Sequence, residues 1–341
     1  MTRKNSFVGI ILTLLVAAAL VLSACAQATA TPAPASSSQE TVKVALLLPG
    51  SIADGGWSQL AFDGLQELGK EPGFEIAYAE NISQAKIPEV TRGYADDGYN
   101  LIIGHGFEFG SAFIEIAPNY PDQWFFATTF LPQPDVPANV QYVDAAYFDA
   151  AYSAGALAAL MSKSNVVGFV GGGDNPTQQG MMKAFQVGAQ QTVEGTQGLG
   201  VVTGDYNDAA KGREAAATMI GNGADVIWHA ADITGLGAIE GAVANKTLVL
   251  GCYSDQTNLA SDYMGSSLVM DLGPMVIKLA HDVRDGKFSG GTEWKPSVKE
   301  MWHWQAGDSD HNPQIIPDET WQNFMKIWED LAAGKIQYSI Q

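Results

Sequence analysis

Short apolar runs, none long enough for a helix, alternate with helical stretches along most of this chain, and that alternation restricts the fold more than any other feature. The runs are VALLL (44–48), FEIAYA (74–79), LIIGHG (101–106), WFFATTF (124–130), VQYVDA (140–145), VVGFVGG (166–172), VVTGD (201–205), DVIWHA (225–230) and TLVLG (247–251). Each reads as a strand buried on both faces, as in parallel sheets. Helical spacing follows, first from Ser58 (Leu60, Phe62, Leu65, Leu68), then over Ile87–Asp97, from Ser111, and over Ala150–Ser162, Gln178–Thr192, Ala209–Asn222 and Gly235–Ala244. A β–α alternation of this kind predicts doubly wound parallel sheets with helices on both faces. The length predicts two such lobes rather than one. Lobe 1 is expected over 41–147, with part of 273–310 returning to it, and lobe 2 over 148–272, with the closing helix 317–333 docking there. Glu293–Trp304 reads as a late strand.

The first residues have a different character. Arg3 and Lys4 precede an apolar run from Phe7 to Leu22, which ends in Leu22-Ser23-Ala24-Cys25. A basic start, a run short for a membrane span and small residues at its end make residues 1–24 an export signal. The ending resembles the lipobox of bacterial lipoproteins, in which the Cys becomes the lipidated first residue. AQATATPAPASSSQE (26–40) has almost nothing to bury and reads as a disordered tether from Cys25 to the body.

The formal charge is −19. An acidic surface without basic clusters argues against nucleic acid or anionic lipid as a partner. Cys252 is the only cysteine besides Cys25, so the body has no disulfide of its own. The five histidines lack metal-ligand spacing, no Gly-x-Ser-x-Gly elbow occurs, and GGGDNP (171–176) lacks the Lys of a phosphate loop. No metal, cofactor or catalysis is therefore expected. What recurs is an aromatic or polar residue where strands end: Trp57, His105 with Phe107, Thr129, Asp174, Tyr206, His229 with Asp232, and Tyr253 with Asp255. Strand ends of one sheet converge, and two facing lobes bring both sets to one cleft. Aromatic faces with a few carboxylates suit a small planar, hydrogen-bonding ligand.

Beyond these features, the chain resembles a known family over about 41–290, the basic membrane protein lipoproteins, also called purine nucleoside receptor A-like substrate-binding proteins of ABC transporters. The resemblance rests on Asp54, Trp57, Gln59, Gly64 and Leu65, on LIIGHGFEF and Tyr120-Pro121-Asp122, and on SAGALAALMSKSNVVGFVGGGDNP with Phe185, Gly188 and Ala189. GDYNDAAKGREAA, GADVIWHAADITGLG and Ser254-Asp255-Gln256 complete it. It implies a two-lobed type I periplasmic-binding-protein fold that closes on a nucleoside between two aromatics. Several positions depart. Trp57-Ser58 stands for Phe-Asn, Met181 for the second stacking Phe, and Thr129 for an acidic residue. Asp232 stands for a Gly, Tyr253 for an acidic residue, and Met270 for a Lys expected to bind the sugar. The departures at Met270, Tyr253 and Asp232 imply a shift from nucleosides toward free bases.

The expected function is a non-enzymatic, lipid-anchored binding protein of an ABC importer, held outside the cytoplasm and partnered by a permease, that captures a nucleoside, nucleobase or similar heteroaromatic. A flavin-type vitamin as ligand and a sensing lipoprotein that signals to a membrane receptor are the alternatives. If Cys25 carries the lipid, Cys25→Ala should leave the precursor unprocessed or release the protein from the membrane fraction. Fractionation with immunoblotting checks this, and wild-type retention of the mutant would refute the lipobox.

Overall fold

The computed structural model describes residues 41–128 and 135–340. Cys25, the signal, the tether and Thr129 lie outside them. The first strands are β1 (Val42–Leu47), β2 (Phe74–Ala79), β3 (Leu101–Gly104), β4 (Trp124–Ala127) and β5 (Val140–Val143). They alternate with helices α1 (Trp57–Leu68), α2 (Ile87–Asp96) and α3 (Phe107–Ile116). There follow α4 (Tyr147–Met161), β6 (Val166–Gly171), α5 (Pro176–Thr192), β7 (Gln197–Val202), α6 (Ala209–Gly221), β8 (Val226–Ala230), α7 (Asp232–Ala244), β9 (Leu248–Tyr253) and β10 (Met264–Met270). The last elements are α8 (Leu272–Arg284), β11 (Thr292–Trp294), α9 (Val298–Met301), β12 (Trp302–Gln305) and α10 (Asp318–Ala332).

Two six-stranded sheets result, ordered β11-β5-β4-β3-β1-β2 and β12-β10-β9-β8-β6-β7. The first is parallel throughout. The second is parallel except for its edge strand β12, which runs antiparallel to β10. Between the sheets the chain crosses at Asp144–Ala146, at Asp271, and between Trp294 and Trp302. The crossings lie side by side. Asp144 N–H donates to Trp294 O at 2.9 Å and Asp271 N–H to Met301 O at 2.8 Å. The buried indole N–H of Trp302 donates to Ala145 O at 2.7 Å.

Several elements differ from their sequence reading, each for a local reason. β7 begins at Gln197, not Val201, because Gly198 and Gly200 interrupt the apolar run that marks a strand. β10 escapes a periodicity reading because Ser266 and Ser267 break it, although both are buried and bonded: Ser266 Oγ donates to Asp310 O at 2.6 Å, and Ser267 Oγ accepts from Gln256 N–H at 3.0 Å. The late strand is two short ones, β11 and β12, one in each sheet, separated by the single turn of α9 that Ser297 and Glu300 cap reciprocally. Helices α3, α4, α5 and α7 each begin two to four residues earlier than their apolar spacing suggests, since a first turn need not be amphipathic.

Small residues set the helix packing. A Cβ on Gly64 of α1 would lie 2.3 Å from the Gly273 Cα of α8, and one on Gly155 of α4 would lie 2.0 Å from Phe185 O of α5. α10 rests on α4, with Leu331 against Tyr152 and Ala156 and Tyr338 OH donating to Asp149 at 2.6 Å. Gly64→Val should therefore lower stability by roughly 1–3 kcal/mol through overpacking. Gly93→Ala in α2, where a Cβ meets nothing within 4 Å, should be neutral or stabilising by about 0.5–1 kcal/mol. Urea titration of both variants checks the contrast.

Candidate functional site

The site is built outward from the start of α1. Pro49 and Gly50 end β1, and the loop that follows is gathered by Asp54. Its Oδ1 accepts from Gly56 N–H at 2.9 Å and Gln59 N–H at 3.1 Å, and its Oδ2 from Ser58 N–H at 2.8 Å. Asp54 thus satisfies amide donors that every helix start leaves open and complements the helix dipole. Between those amides stands Trp57. Its ring stacks on His105, with centroids 3.7 Å apart and planes 27° apart. The Trp57 carbonyl lies 3.0 Å from His105 Nε2. A carbonyl only accepts, so Nε2 carries the proton, and Nδ1 is left without a partner among the described residues. Full burial holds His105 neutral, pushing its pKa down to about 3 against the opposing pull of that carbonyl.

The second lobe supplies the facing wall. Asp232, the first residue of α7, has φ +47° and directs Oδ1 toward Trp57 N–H at 3.4 Å. Its side chain is half-buried and lines the cleft. Burial, then the negative Asp54, push its pKa up to about 8. The Tyr206 ring lies flat over Gly172 and Gly173, where added Cβ atoms would come within 2.2 and 2.5 Å of it. Tyr206 OH accepts from Asn175 Nδ2 at 3.0 Å. The glycines of GGGDNP therefore make room for a ring. Tyr253 ends β9 at φ +69°, and Ser254 Oγ donates across the cleft to Gly55 O at 3.3 Å.

Between these walls is a cavity of about 160 Å³. One water needs roughly 10–15 Å³ on this measure, so the space suits a small organic molecule. Asp54, Trp57, Ser58, Phe107, Tyr206, Asp232 and Tyr253 all line it. His105 does not; it braces Trp57 from behind. Met181 is fully buried in the core with Phe169, Phe185 and Trp228. Met270 is buried at the end of β10 in the same core. Neither lines the cavity. Asp174 is exposed and accepts from Gln179 Nε2 at 2.9 Å. Asp255 closes a turn, accepting from Thr257 Oγ1 at 2.7 Å and Gly307 N–H at 2.7 Å. His229 is a buried tie, with Nε2 3.0 Å from Gln256 Oε1. The expectation at the sugar side thus loses Met270 and Asp255. Sequence reasoning missed Glu108, Tyr147, Asn175, Thr177, Gln178 and Asn207. Most sit in first helical turns, so placing those helix starts correctly would have pointed to them.

The sequence profile of the PnrA-like ABC transporter substrate-binding proteins matches residues 41–302. The chain belongs to this family. PnrA-like relatives include an ABC transporter nucleoside-binding protein of Lactococcus lactis, 29% identical over 71% of this chain and 74% of its own. Basic membrane protein A of Borreliella burgdorferi is 26% identical over 76% of this chain and 78% of its own. A purine-binding protein of Brucella abortus is 26% identical over 75% and 73%. Among solved structures, an ABC transporter solute-binding protein of Aeropyrum pernix superposes with a TM-score of 0.77 at 18% identity over 88% of this chain and 94% of its own. One from Conexibacter woesei gives 0.68 at 23% identity over 88% and 99%. The two-lobed solute-binding fold follows from these likenesses, and the family consists of binding proteins, not enzymes.

In this PnrA-like cavity the described lining includes the carboxylates of Asp54, Glu108 and Asp232 and no Lys, Arg or His. Burial also raises the Glu108 pKa. The free protein keeps the Asp232 proton to about pH 8, whereas the unfolded chain loses it near the ordinary value of 3.8. The folded state therefore binds more protons between those values, and this group's contribution to stability falls as pH rises through that window. Asp232→Asn should raise the melting temperature of the ligand-free protein, by a margin that grows from about pH 4 to about pH 8 and then levels. Calorimetric melting across that range checks the trend.

Proposed function

We propose that this chain is the lipid-anchored, extracytoplasmic binding protein of an ABC importer, and that it captures a nucleoside, a nucleobase or a similar small heteroaromatic. The observation that carries this reading is the cavity between the sheets, with Trp57 and Phe107 on one side and Tyr206 and Tyr253 on the other. Facing rings of this kind sandwich a planar ligand, while Ser58, Asn175, Gln178 and Asp232 supply hydrogen-bonding groups at its edges. The nucleoside- and purine-binding relatives support the ligand class. The adjacent crossings support a hinge about which the lobes part and close, so that a ligand is admitted and then shielded from water. The cavity's acidic lining disfavours nucleotides, whose phosphates would meet three acidic side chains and no cation among the described lining.

Mass spectrometry of ligand released from the purified protein tests the class directly, and recovery of a sugar or peptide alone would overturn it. Phe107 is 42% exposed at the cavity. Phe107→Ala should cost about 1–3 kcal/mol of ligand affinity, tenfold or more, by analogy with base–aromatic stacking. The melting temperature of the free protein should stay nearly unchanged. Trp57→Ala should lose both affinity and stability, because His105 then loses its stacking partner. Calorimetric titration with the released ligand separates the two effects.

A further inference from the structure

We infer that the cavity selects a heteroaromatic that carries a positive charge over its neutral and anionic counterparts; this rests on the reading of the cavity as the ligand site. The argument begins with where each carboxylate finds its partners. Asp54 spends both oxygens on the amides of Gly56, Ser58 and Gln59, and the dipole of α1 offsets its charge. Among the described residues Asp232 has only the long bond from Trp57 N–H at 3.4 Å, since the better-placed amides of that helix start are taken. For Glu108 the one partner among the described residues is its own backbone amide. Two carboxylates thus keep unused acceptor capacity at the cavity.

The groups that face Asp232 do not neutralise it. They are Asp54 and the Trp57 amide from α1 and its loop, Tyr206 from the loop after β7, and Cys252 with Tyr253 from β9. None is a cation. Burial and the neighbouring negative charges hold the Tyr206 and Tyr253 phenols and the Cys252 thiol protonated. The phenol and indole rings present electron-rich faces, which attract a delocalised positive charge. Negative groups with spare acceptors, inside a wall of ring faces, make a receptor for a flat cation.

The free protein relieves its surplus by holding a proton on Asp232. A bound cation favours the ionised carboxylate, so it expels that proton, and its affinity rises with pH until the free-protein value of about 8 is passed. A neutral ring draws on no such coupling.

The test is isothermal titration calorimetry on protein stripped of endogenous ligand, comparing adenosine with 1-methyladenosine, which carries a ring charge at pH 7. The expected result is at least tenfold tighter binding of 1-methyladenosine, with close to one proton released when buffers of different ionisation enthalpy are compared. Asp232→Asn should abolish the proton release and most of the preference, and Glu108→Gln should reduce the preference while leaving the proton release in place. Adenosine binding as tightly as 1-methyladenosine, or a preference retained in full by both variants, would overturn the inference and leave the nucleoside reading standing. Binding of benzyltrimethylammonium with neither nucleoside bound would sustain the charge selection and overturn the nucleoside reading. Failure of all three probes to bind would overturn both.

Discussion

The carboxylate of Asp54 holds the amides of Gly56, Ser58 and Gln59, and the geometry of the cleft depends on that one interaction. A helix start carries open N–H groups that must be satisfied. Satisfying them from two residues upstream folds the loop back and fixes where Trp57 emerges. The indole then lies on His105, which is neutral and donates its Nε2 proton to the Trp57 carbonyl. A charged imidazole could not remain in that dry place, so the support under the ring is as much a matter of protonation as of shape.

The same helix start links the two lobes. Gly55 and Gly56 approach Leu236 and Asp232 of the second lobe closely, and Ser254 reaches back to Gly55. Asp232 arrives at an N-terminus whose amides Asp54 already occupies. Two carboxylates share one set of donors, and the second, held up by burial and by the negative Asp54 beside it, takes a proton. An acidic residue at a loop end thereby becomes a neutral group in the free protein, and its charge depends on what enters the cavity. Closure about the crossings would bring these same groups around a ligand, joining the lobe contact to the binding chemistry.

Packing elsewhere serves the placement of these loops. Gly64 against Gly273 and Gly155 against Phe185 allow helices to approach backbone to backbone, which sets the level of each helix start at the sheet edge. Trp302, with its indole on Ala145 O and its ring near Tyr147 and Tyr253, ties the crossings to the floor of the cavity. The crossings are thus in contact with two tyrosines that line the cavity.

The succession of short apolar runs determined the parallel sheets, because a strand buried on both faces is legible from five or six residues. The strand ends likewise drew attention to Trp57, Phe107, Tyr206, Asp232 and Tyr253, which line the cavity, but equally to Asp174, His229 and Asp255, which make local bonds away from it. β10 stayed hidden because Ser266 and Ser267 break its apolar run and find their partners outside the strand, at Asp310 and Gln256. Met181 and Met270 stood as cavity residues through the family resemblance alone, but helix and strand orientation turn them into the core. Glu108 and Tyr147 were passed over because first helical turns show no apolar period. Sequence alone set the periodicities and the residues at the strand ends. Only the tertiary structure decided which of those residues share a cavity and which of its carboxylates keep a proton, because burial and charge coupling depend on distances between segments far apart in the chain.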